Sequence, residues 1–170
     1  VEEAATWYLA RIAAINQSGP AINAVREVSA RVIEDARAAD KDLAAGRRLG
    51  PLHGIPVLLK DNILTADGMA ASAGAAAFAG FRPRREATLV NRLRRSGAII
   101  IGKTNLHEFA NGGSSASTYF GPVRNPWALD RIPSGSSGGS AAAVSADLAF
   151  GALGTDTGGS IRQPAALSGV

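Results

Sequence analysis

The apolar residues of the chain follow two different spacings. In two segments they recur every three or four positions, which is the repeat of an amphipathic helix. The first is residues 3–16, and the second begins after a capping Ser29 and stops at Gly46. The positions predicted to face the core are Tyr8, Leu9, Ile12 and Ile15 in the first helix, and Val32, Ala36, Ala39 and Leu43 in the second.

Elsewhere the apolar residues form short continuous runs bounded by turn residues. Such a run is typical of a strand that is buried on both faces. The predicted strands are Ala24–Val28, Ile55–Leu59, Ala98–Ile101 and Phe150–Leu153. Further helices are predicted over Glu86–Arg95 and Ser140–Leu148, with a packed loop of one helical turn over 65–81. Helices alternating with strands indicate an α/β fold, with a mixed, largely parallel sheet covered by helices. No linker divides residues 1–170, so we expect one domain without an internal boundary.

The amino-acid composition excludes several kinds of chemistry but says little about the fold. There is no cysteine, which excludes disulfides and thiolate metal sites, and the two histidines have no metal-binding spacing. We therefore predict neither a metal nor a cofactor. No apolar run approaches the roughly 20 residues of a membrane span, so no membrane partner is expected. The lack of cysteine also favours a cytoplasmic protein.

The net charge is +4, arginine supplies nearly all of the positive charge, and the one concentration of arginines lies between positions 82 and 95. A nucleic-acid surface is one interpretation of this cluster. The segment has no aromatic residue beyond Phe81 and no binding motif, so we favour a solvated surface and expect no direct nucleic-acid partner.

Two loops rich in glycine and serine, residues 134–140 and 155–160, carry the candidate chemistry. A phosphate cradle is weakly supported, because neither a Walker motif nor GxGxxG is present. A Ser-His-Asp site would need His53 or His107 beside a serine, but no GxSxG elbow occurs. A lone histidine in a turn is more often a structural residue.

Lysine offers a third hypothesis. Lys60 directly follows the predicted strand Ile55–Leu59. Burial lowers the pKa of a lysine because it disfavours the ammonium. A neutral Lys60 could then act as a base near pH 7. The alternative is an ion pair with a neighbouring carboxylate, and the residues alone favour neither.

Five sequence blocks, in this order, resemble the amidase signature family across nearly the whole chain. They are GIPVLLKDNI from Gly54, GKTNLHEFA from Gly102, GPVRNPW from Gly121, GSSGGSAAAV from Gly135 and GTDTGGSIRQPAA from Gly154. The resemblance implies the amidase signature fold, with the chain covering its N-terminal part, including the catalytic core.

The resemblance also implies roles for individual residues. Lys60 would be the catalytic lysine, Ser136 the bridging serine after a cis peptide bond, and Ser160 the nucleophile. Oxyanion N–H groups fall on Thr157, Gly158, Gly159 and Ser160. Substrate-binding positions in the acyl pocket fall within residues 110–113, at Ala110 and Gly113.

Several neighbouring residues are interpreted as structural. Ser137 and Ser140 would cap or hydrogen-bond the first loop. Asp156 and Arg162 would hold the second loop, through a buried ion pair or backbone hydrogen bonds. Lys103 has no catalytic counterpart in the family.

The expected function is hydrolysis of a small carboxylic amide through a Ser-Ser-Lys triad and an acyl-enzyme. One alternative is the glutamine-hydrolysing A subunit of a tRNA-dependent amidotransferase, which would work with partner subunits. Another is a non-catalytic binding fragment, and a homodimer is a further assembly to test. Because family members continue well past Val170, we expect the isolated chain to be unstable or inactive, with an unpaired sheet edge and uncovered apolar faces.

Overall fold

A computed structural model describes residues 1–170, which form a four-stranded sheet and a separate small ribbon. The sheet consists of β1 (Val25–Val28), β2 (Pro56–Lys60), β3 (Ile99–Thr104) and β6 (Gly151–Leu153), and the ribbon pairs β4 (Ala116–Ser117) with β5 (Gly121–Pro122). The order in the sheet is β1-β3-β2-β6, with β2 parallel to both β3 and β6 and β1 antiparallel to β3. The predicted α/β fold with a mixed, largely parallel sheet is therefore confirmed.

Helices cover both faces of this sheet. They are α1 (Glu2–Ile15), α2 (Val32–Ala44), α3 (Thr88–Arg95), α4 (Gly138–Ser145) and α5 (Arg162–Ser168), with 3₁₀ turns at Ala76–Phe78 and Glu108–Ala110. Side chains of α1, α2 and α4 pack with Leu58 and Ile101 on one face, and Val90 of α3 packs with Leu59 and Ile100 on the other. Strand β2 is thus buried on both faces, as its continuous apolar run predicts. None of these helices combines the length and apolar character that a membrane crossing requires.

Two details of α2 differ from the prediction. Arg31, not Ser29, stands at the N-cap, and the Ser29 hydroxyl accepts a hydrogen bond from the Arg31 N–H (3.2 Å), before the helix begins. Leu43 is 45% exposed, whereas Val32 and Ala36 are buried as predicted. Leu43 lies in the last turn before the helix ends at Ala44, where the chain turns away.

Strand β3 continues three residues beyond its predicted end at Ile101. Gly102, Lys103 and Thr104 remain buried strand residues because they pair with β1 on one side and β2 on the other. At Gly102 the close approach of β1 leaves no room for a side chain, since a Cβ would lie 2.3 Å from the Glu27 carbonyl oxygen. These three residues are glycine or polar, so the pattern of apolar runs does not predict them as part of a strand.

Candidate active site

The two Gly/Ser loops meet at the carboxyl edge of the parallel strands. Lys60 is the last residue of β2, and Thr155 follows the end of β6, which lies beside it. Parallel strands end at the same edge of a sheet, so their following residues come together there. The Lys60 amine reaches across this edge to the loop that precedes α4.

Lys60 is fully buried, and its amine contacts hydroxyl groups. Lys60 Nζ and Ser136 Oγ form a hydrogen bond of 2.6 Å, and the amine donates to Thr155 Oγ1 at 2.8 Å. None of the ion pairs in the structure includes Lys60. Burial lowers the pKa of Lys60 to about 8, and the charge of Asp156 opposes that shift. Of the two interpretations of Lys60 left open by the sequence, the ion pair is not formed.

Ser136 sits in a tightly packed loop. The peptide bond between Gly135 and Ser136 is cis, as the family resemblance implies. Ser115 fixes the path of this loop, because its hydroxyl donates to the Ser134 carbonyl and accepts from the Gly138 N–H (2.7 and 2.8 Å). A Cβ on Gly135 would lie 2.8 Å from the Ser115 backbone nitrogen, so only glycine fits this close approach.

The second loop is organised by one carboxylate. Asp156 accepts hydrogen bonds from the backbone N–H groups of Gly159, Ile161 and Arg162 at 2.7, 3.0 and 3.2 Å. With the Arg162 guanidinium, these donors hold the pKa of the Asp156 carboxyl far below its usual range. Arg162 is 74% exposed, so the ion pair is a surface one and the backbone hydrogen bonds hold the loop.

Ser160 is half-buried at the end of this loop. Its carbonyl accepts a hydrogen bond from the Ser137 N–H (3.0 Å), which ties the two loops together next to Ser136. The Ser160 hydroxyl itself makes no hydrogen bond. A Ser-Ser-Lys triad needs hydrogen bonds from Ser160 to Ser136 and between Ser136 and Lys60. The structure forms the second of these contacts and not the first.

The predicted oxyanion donors divide into two groups. The N–H groups of Thr157, Gly158 and Ser160 have no hydrogen-bond partner. The N–H of Gly159 is already held by the Asp156 carboxylate, because the loop turns so that this N–H points back at the side chain three residues earlier. Three of the four predicted donors remain available to a ligand.

A cavity of about 490 Å³ opens directly onto Ser160. The pocket residues predicted from the sequence, Ala110 and Gly113, both line it. The complete lining is Phe109, Ala110, Asn111, Gly112, Gly113, Gly135, Thr157, Gly158, Ser160 and Gln163. The loop after β3 and the loop after β6 thus face each other across one space.

The other candidate residues take structural positions. The His53 ring contacts the Leu49 N–H and the Ala39 carbonyl, and the His107 ring contacts the Ser114 hydroxyl, so neither ring contacts Ser160. The Ser-His-Asp hypothesis is therefore not supported. The structure also gathers no group of three His, Cys, Asp or Glu side chains that could hold a metal ion.

Ser137 and Ser140, the serines of the first loop interpreted as structural, make hydrogen bonds within the fold. Ser137 stands at the N-cap of α4, but its hydroxyl donates to the Thr155 carbonyl (3.2 Å) and does not cap the helix. The Ser140 hydroxyl bonds to Thr104 Oγ1 and to the Leu153 carbonyl (2.7 and 3.0 Å). Both serines connect the first loop to strand ends.

Two residues of the site were missed by sequence reasoning. Thr155 Oγ1 accepts hydrogen bonds from Lys60 and also from Asn62 Nδ2 (3.1 Å). Both residues lie inside the sequence blocks that resemble the family. Asn62 is two positions after Lys60, and Thr155 directly precedes Asp156. Their position at the same sheet edge as Lys60 was the available signal.

The family of the chain is shown by a model described as Amidase, which matches residues 3–170. The chain belongs to the amidase family. This membership confirms the family resemblance of the five sequence blocks and the fold that the resemblance implies.

Individual relatives show how much of a protein this chain represents. It is 52% identical over 170 residues to the A subunit of glutamyl-tRNA(Gln) amidotransferase from Acidothermus cellulolyticus, covering 99% of this chain and 33% of that protein. The native peptide amidase of Stenotrophomonas maltophilia superposes with a TM-score of 0.94 at 49% identity, covering 98% of this chain and 35% of that one. The A subunit of the Thermotoga maritima amidotransferase gives a TM-score of 0.79 at 39% identity, covering 98% and 33% of the two chains. The chain spans about a third of the length of the relatives it matches.

Proposed function

We propose that this chain carries the catalytic centre of an amide hydrolase, with Ser160 as nucleophile, Ser136 as proton relay and Lys60 as base. The observation that carries the proposal is the 2.6 Å hydrogen bond between Lys60 Nζ and Ser136 Oγ, made by a fully buried amine without a carboxylate partner. A serine hydroxyl is a weak nucleophile until a base removes its proton. A lysine with a pKa lowered to about 8 is neutral in a useful fraction near pH 7 and can accept that proton.

In the acylation step, Ser160 Oγ attacks the carbonyl carbon of the amide. Its proton passes to Ser136 Oγ while the Ser136 proton passes to Lys60 Nζ, so that the relay ends with a lysine ammonium. Ser160 Oγ makes no hydrogen bond in the structure, so the transfer begins when its hydroxyl donates a hydrogen bond to Ser136 Oγ. Lys60 then returns the proton through Ser136 to the departing nitrogen, and the C–N bond breaks.

The negative charge on the carbonyl oxygen needs donors that are fixed before the reaction begins. The N–H groups of Thr157, Gly158 and Ser160 have no hydrogen-bond partner, and these three residues line the cavity. A strong, fixed oxyanion donor contributes about 3–4 kcal/mol to transition-state binding. In the second half of the cycle, water attacks the Ser160 ester and gives its proton to the same relay, which releases the acid and restores Ser160.

A second candidate is supported by the relatives named as the A subunit of glutamyl-tRNA(Gln) amidotransferase. In that case the same centre hydrolyses glutamine and passes ammonia to partner subunits. The two functions share the chemistry at Ser160 and differ in substrate and partners. Release of ammonia from glutamine only in the presence of partner subunits would favour the amidotransferase, and release from a simple amide by the unaccompanied protein would favour the amidase.

Active-site labelling tests the proposed centre against a non-catalytic binding protein. A fluorophosphonate reacts covalently with an activated serine, and we expect one label per catalytic centre in a folded protein that contains residues 1–170. Ser160→Ala should abolish the label, whereas Ser18→Ala, on the exposed turn after α1, should leave it unchanged. Equal labelling of Ser160→Ala and the parent would contradict the proposal.

A further inference from the structure

Phe109 is an aromatic residue exposed on the wall of an otherwise polar cavity. It is 57% exposed, and among the residues that line the cavity beside Ser160 only Phe109 and Ala110 are apolar. The remaining wall is formed by glycines, hydroxyl-bearing residues and the side-chain amides of Asn111 and Gln163. The Phe109 ring therefore gives this polar wall one broad apolar surface, next to the nucleophile, that the flat part of a ligand can cover.

The backbone that presents this ring adopts an unusual conformation. Phe109 and Ala110 are consecutive residues in the left-handed region, with φ of 54° and 56°. Such a conformation is unfavourable for any residue with a Cβ, and two in succession persist only where surrounding contacts enforce them. The Phe109 N–H donates to the Ala73 carbonyl (2.7 Å) and the Ala110 N–H to the His107 carbonyl (2.8 Å), which holds the turn in place.

Phe109 stands at one end of a row of three aromatic rings. The Phe78 ring meets Phe109 edge to face, with centroids 6.1 Å apart and an angle of 87° between the planes. The Phe81 ring meets Phe78 in the same way at 6.4 Å. This row of three rings, Phe78, Phe81 and Phe109, limits the freedom of Phe109. A ring held in this way loses little entropy when a ligand stacks on it.

We propose that Phe109 determines specificity, as the stacking surface for a flat apolar ring on the acyl part of the substrate. The inference rests on the proposed function, because the part released there is ammonia or a small amine and the ring must belong to the acyl group. Aromatic pairs gain binding free energy beyond simple area burial. The preferred substrate class is therefore the amide of an arylalkyl carboxylic acid, and a short aliphatic amide uses the cavity without this surface.

The test measures binding without turnover. In a Ser160→Ala background, the dissociation constants of phenylacetamide and propionamide are measured by ligand-observed NMR titration. We expect phenylacetamide to bind more tightly, and Phe109→Leu to weaken it about fivefold while propionamide changes less than about twofold. Phe109→Tyr, which retains a ring, should keep the preference.

Tyr119 provides the matched control, because it is also 57% exposed but does not line the cavity. Tyr119→Leu should change neither dissociation constant. Equal affinities of the parent for the two amides would overturn the inference, as would an aryl preference that survives Phe109→Leu or is lost equally in Tyr119→Leu. Because binding is measured without Ser160 Oγ, a failure of the catalytic proposal would appear in fluorophosphonate labelling and leave this result interpretable.

Discussion

Two buried lysines end up in opposite environments only one strand apart. Lys60 is the last residue of β2, and Lys103 lies in the neighbouring strand β3, paired with Leu59 of β2. Both side chains are fully buried. Because alternate residues of a strand point to opposite faces, the two amines leave the sheet on different sides. Burial alone therefore does not define a catalytic lysine, and the groups around each amine must be compared.

The surroundings of Lys103 are those of a structural cation. Its amine donates to the Ile63 carbonyl at 2.6 Å, and burial lowers its pKa while the charges of Asp61 and Asp67 oppose the shift. Asp61 is itself fully buried and pairs with Arg26 at 2.9 Å. The Lys60 amine contacts the hydroxyls of Ser136 and Thr155 instead. Burial lowers its pKa, and one carboxylate charge, that of Asp156, opposes this shift. Hydroxyl partners can exchange a proton with an amine, whereas nearby carboxylates favour its charged form.

The largest expected difference comes from removing the Lys60 amine. Lys60→Met keeps an apolar side chain of similar length in the buried position but removes the base. We expect the rate of fluorophosphonate labelling at Ser160 to fall about 10³-fold, the loss typical of a general base. Labelling within tenfold of the parent in a folded Lys60→Met protein would exclude Lys60 as the base.

The same substitution at Lys103 should act on stability. Lys103→Met leaves the buried Ile63 carbonyl without its donor, so the free energy of unfolding should fall by about 2–3 kcal/mol in a urea titration. Well below the unfolding transition, the labelling rate should remain within a few-fold of the parent. A 10³-fold loss of labelling at unchanged stability would give Lys103 a role that its surroundings do not suggest.

A smaller effect is expected at Thr155, whose substitution tests how much this second hydroxyl partner contributes to the pKa and orientation of Lys60. Thr155→Val preserves the shape of the side chain but removes the acceptor for the Lys60 amine. Hydrogen bonding to the charged amine favours the ammonium, so its loss should move the pH midpoint of labelling downward. Because Lys60 is then less well oriented toward Ser136, the plateau rate should fall about tenfold. An unchanged pH midpoint and an unchanged plateau would show that Ser136 alone positions Lys60.

The smallest effect is predicted at Arg162. Arg162→Gln removes an exposed cation from Asp156, whose backbone hydrogen bonds remain, so the stability change should stay below about 1 kcal/mol. The less compensated carboxylate should then raise the pKa of Lys60 slightly, moving the midpoint of labelling up by about half a pH unit or less. A downward shift would mean that Asp156 does not act on Lys60 through its charge.

Much of the fold was predictable because apolar spacing reports burial directly. Residues Ile55–Leu59 are predicted to form a strand buried on both faces, and β2 is that strand, shifted by one residue to Pro56–Lys60. The helix α5 was not predicted, because its seven residues carry too short an apolar pattern and include Pro164 in the first turn. The extension of β3 from Gly102 to Thr104 was not predicted for a related reason, since it depends on pairing with neighbouring strands and not on hydrophobicity.

The candidate site divides in the same way. The sequence blocks indicated Lys60, Ser136 and Ser160, and the fold brings the first two into contact and the third onto the adjoining loop. The occupation of the Gly159 N–H by Asp156 and the contact of Thr155 with Lys60 are products of three-dimensional packing. No spacing along the chain reports which hydroxyl faces an amine across a sheet edge. The assignment of catalytic roles and the instability expected of the isolated chain stay predictions.

The pH dependence of labelling at Ser160 tests the central claim most directly. Only the neutral form of Lys60 can accept a proton, and that form predominates above its pKa of about 8. The labelling rate should therefore rise about tenfold per pH unit below pH 8 and level off above it. A rate that stays constant across this range, or falls as the pH rises through 8, would contradict the account.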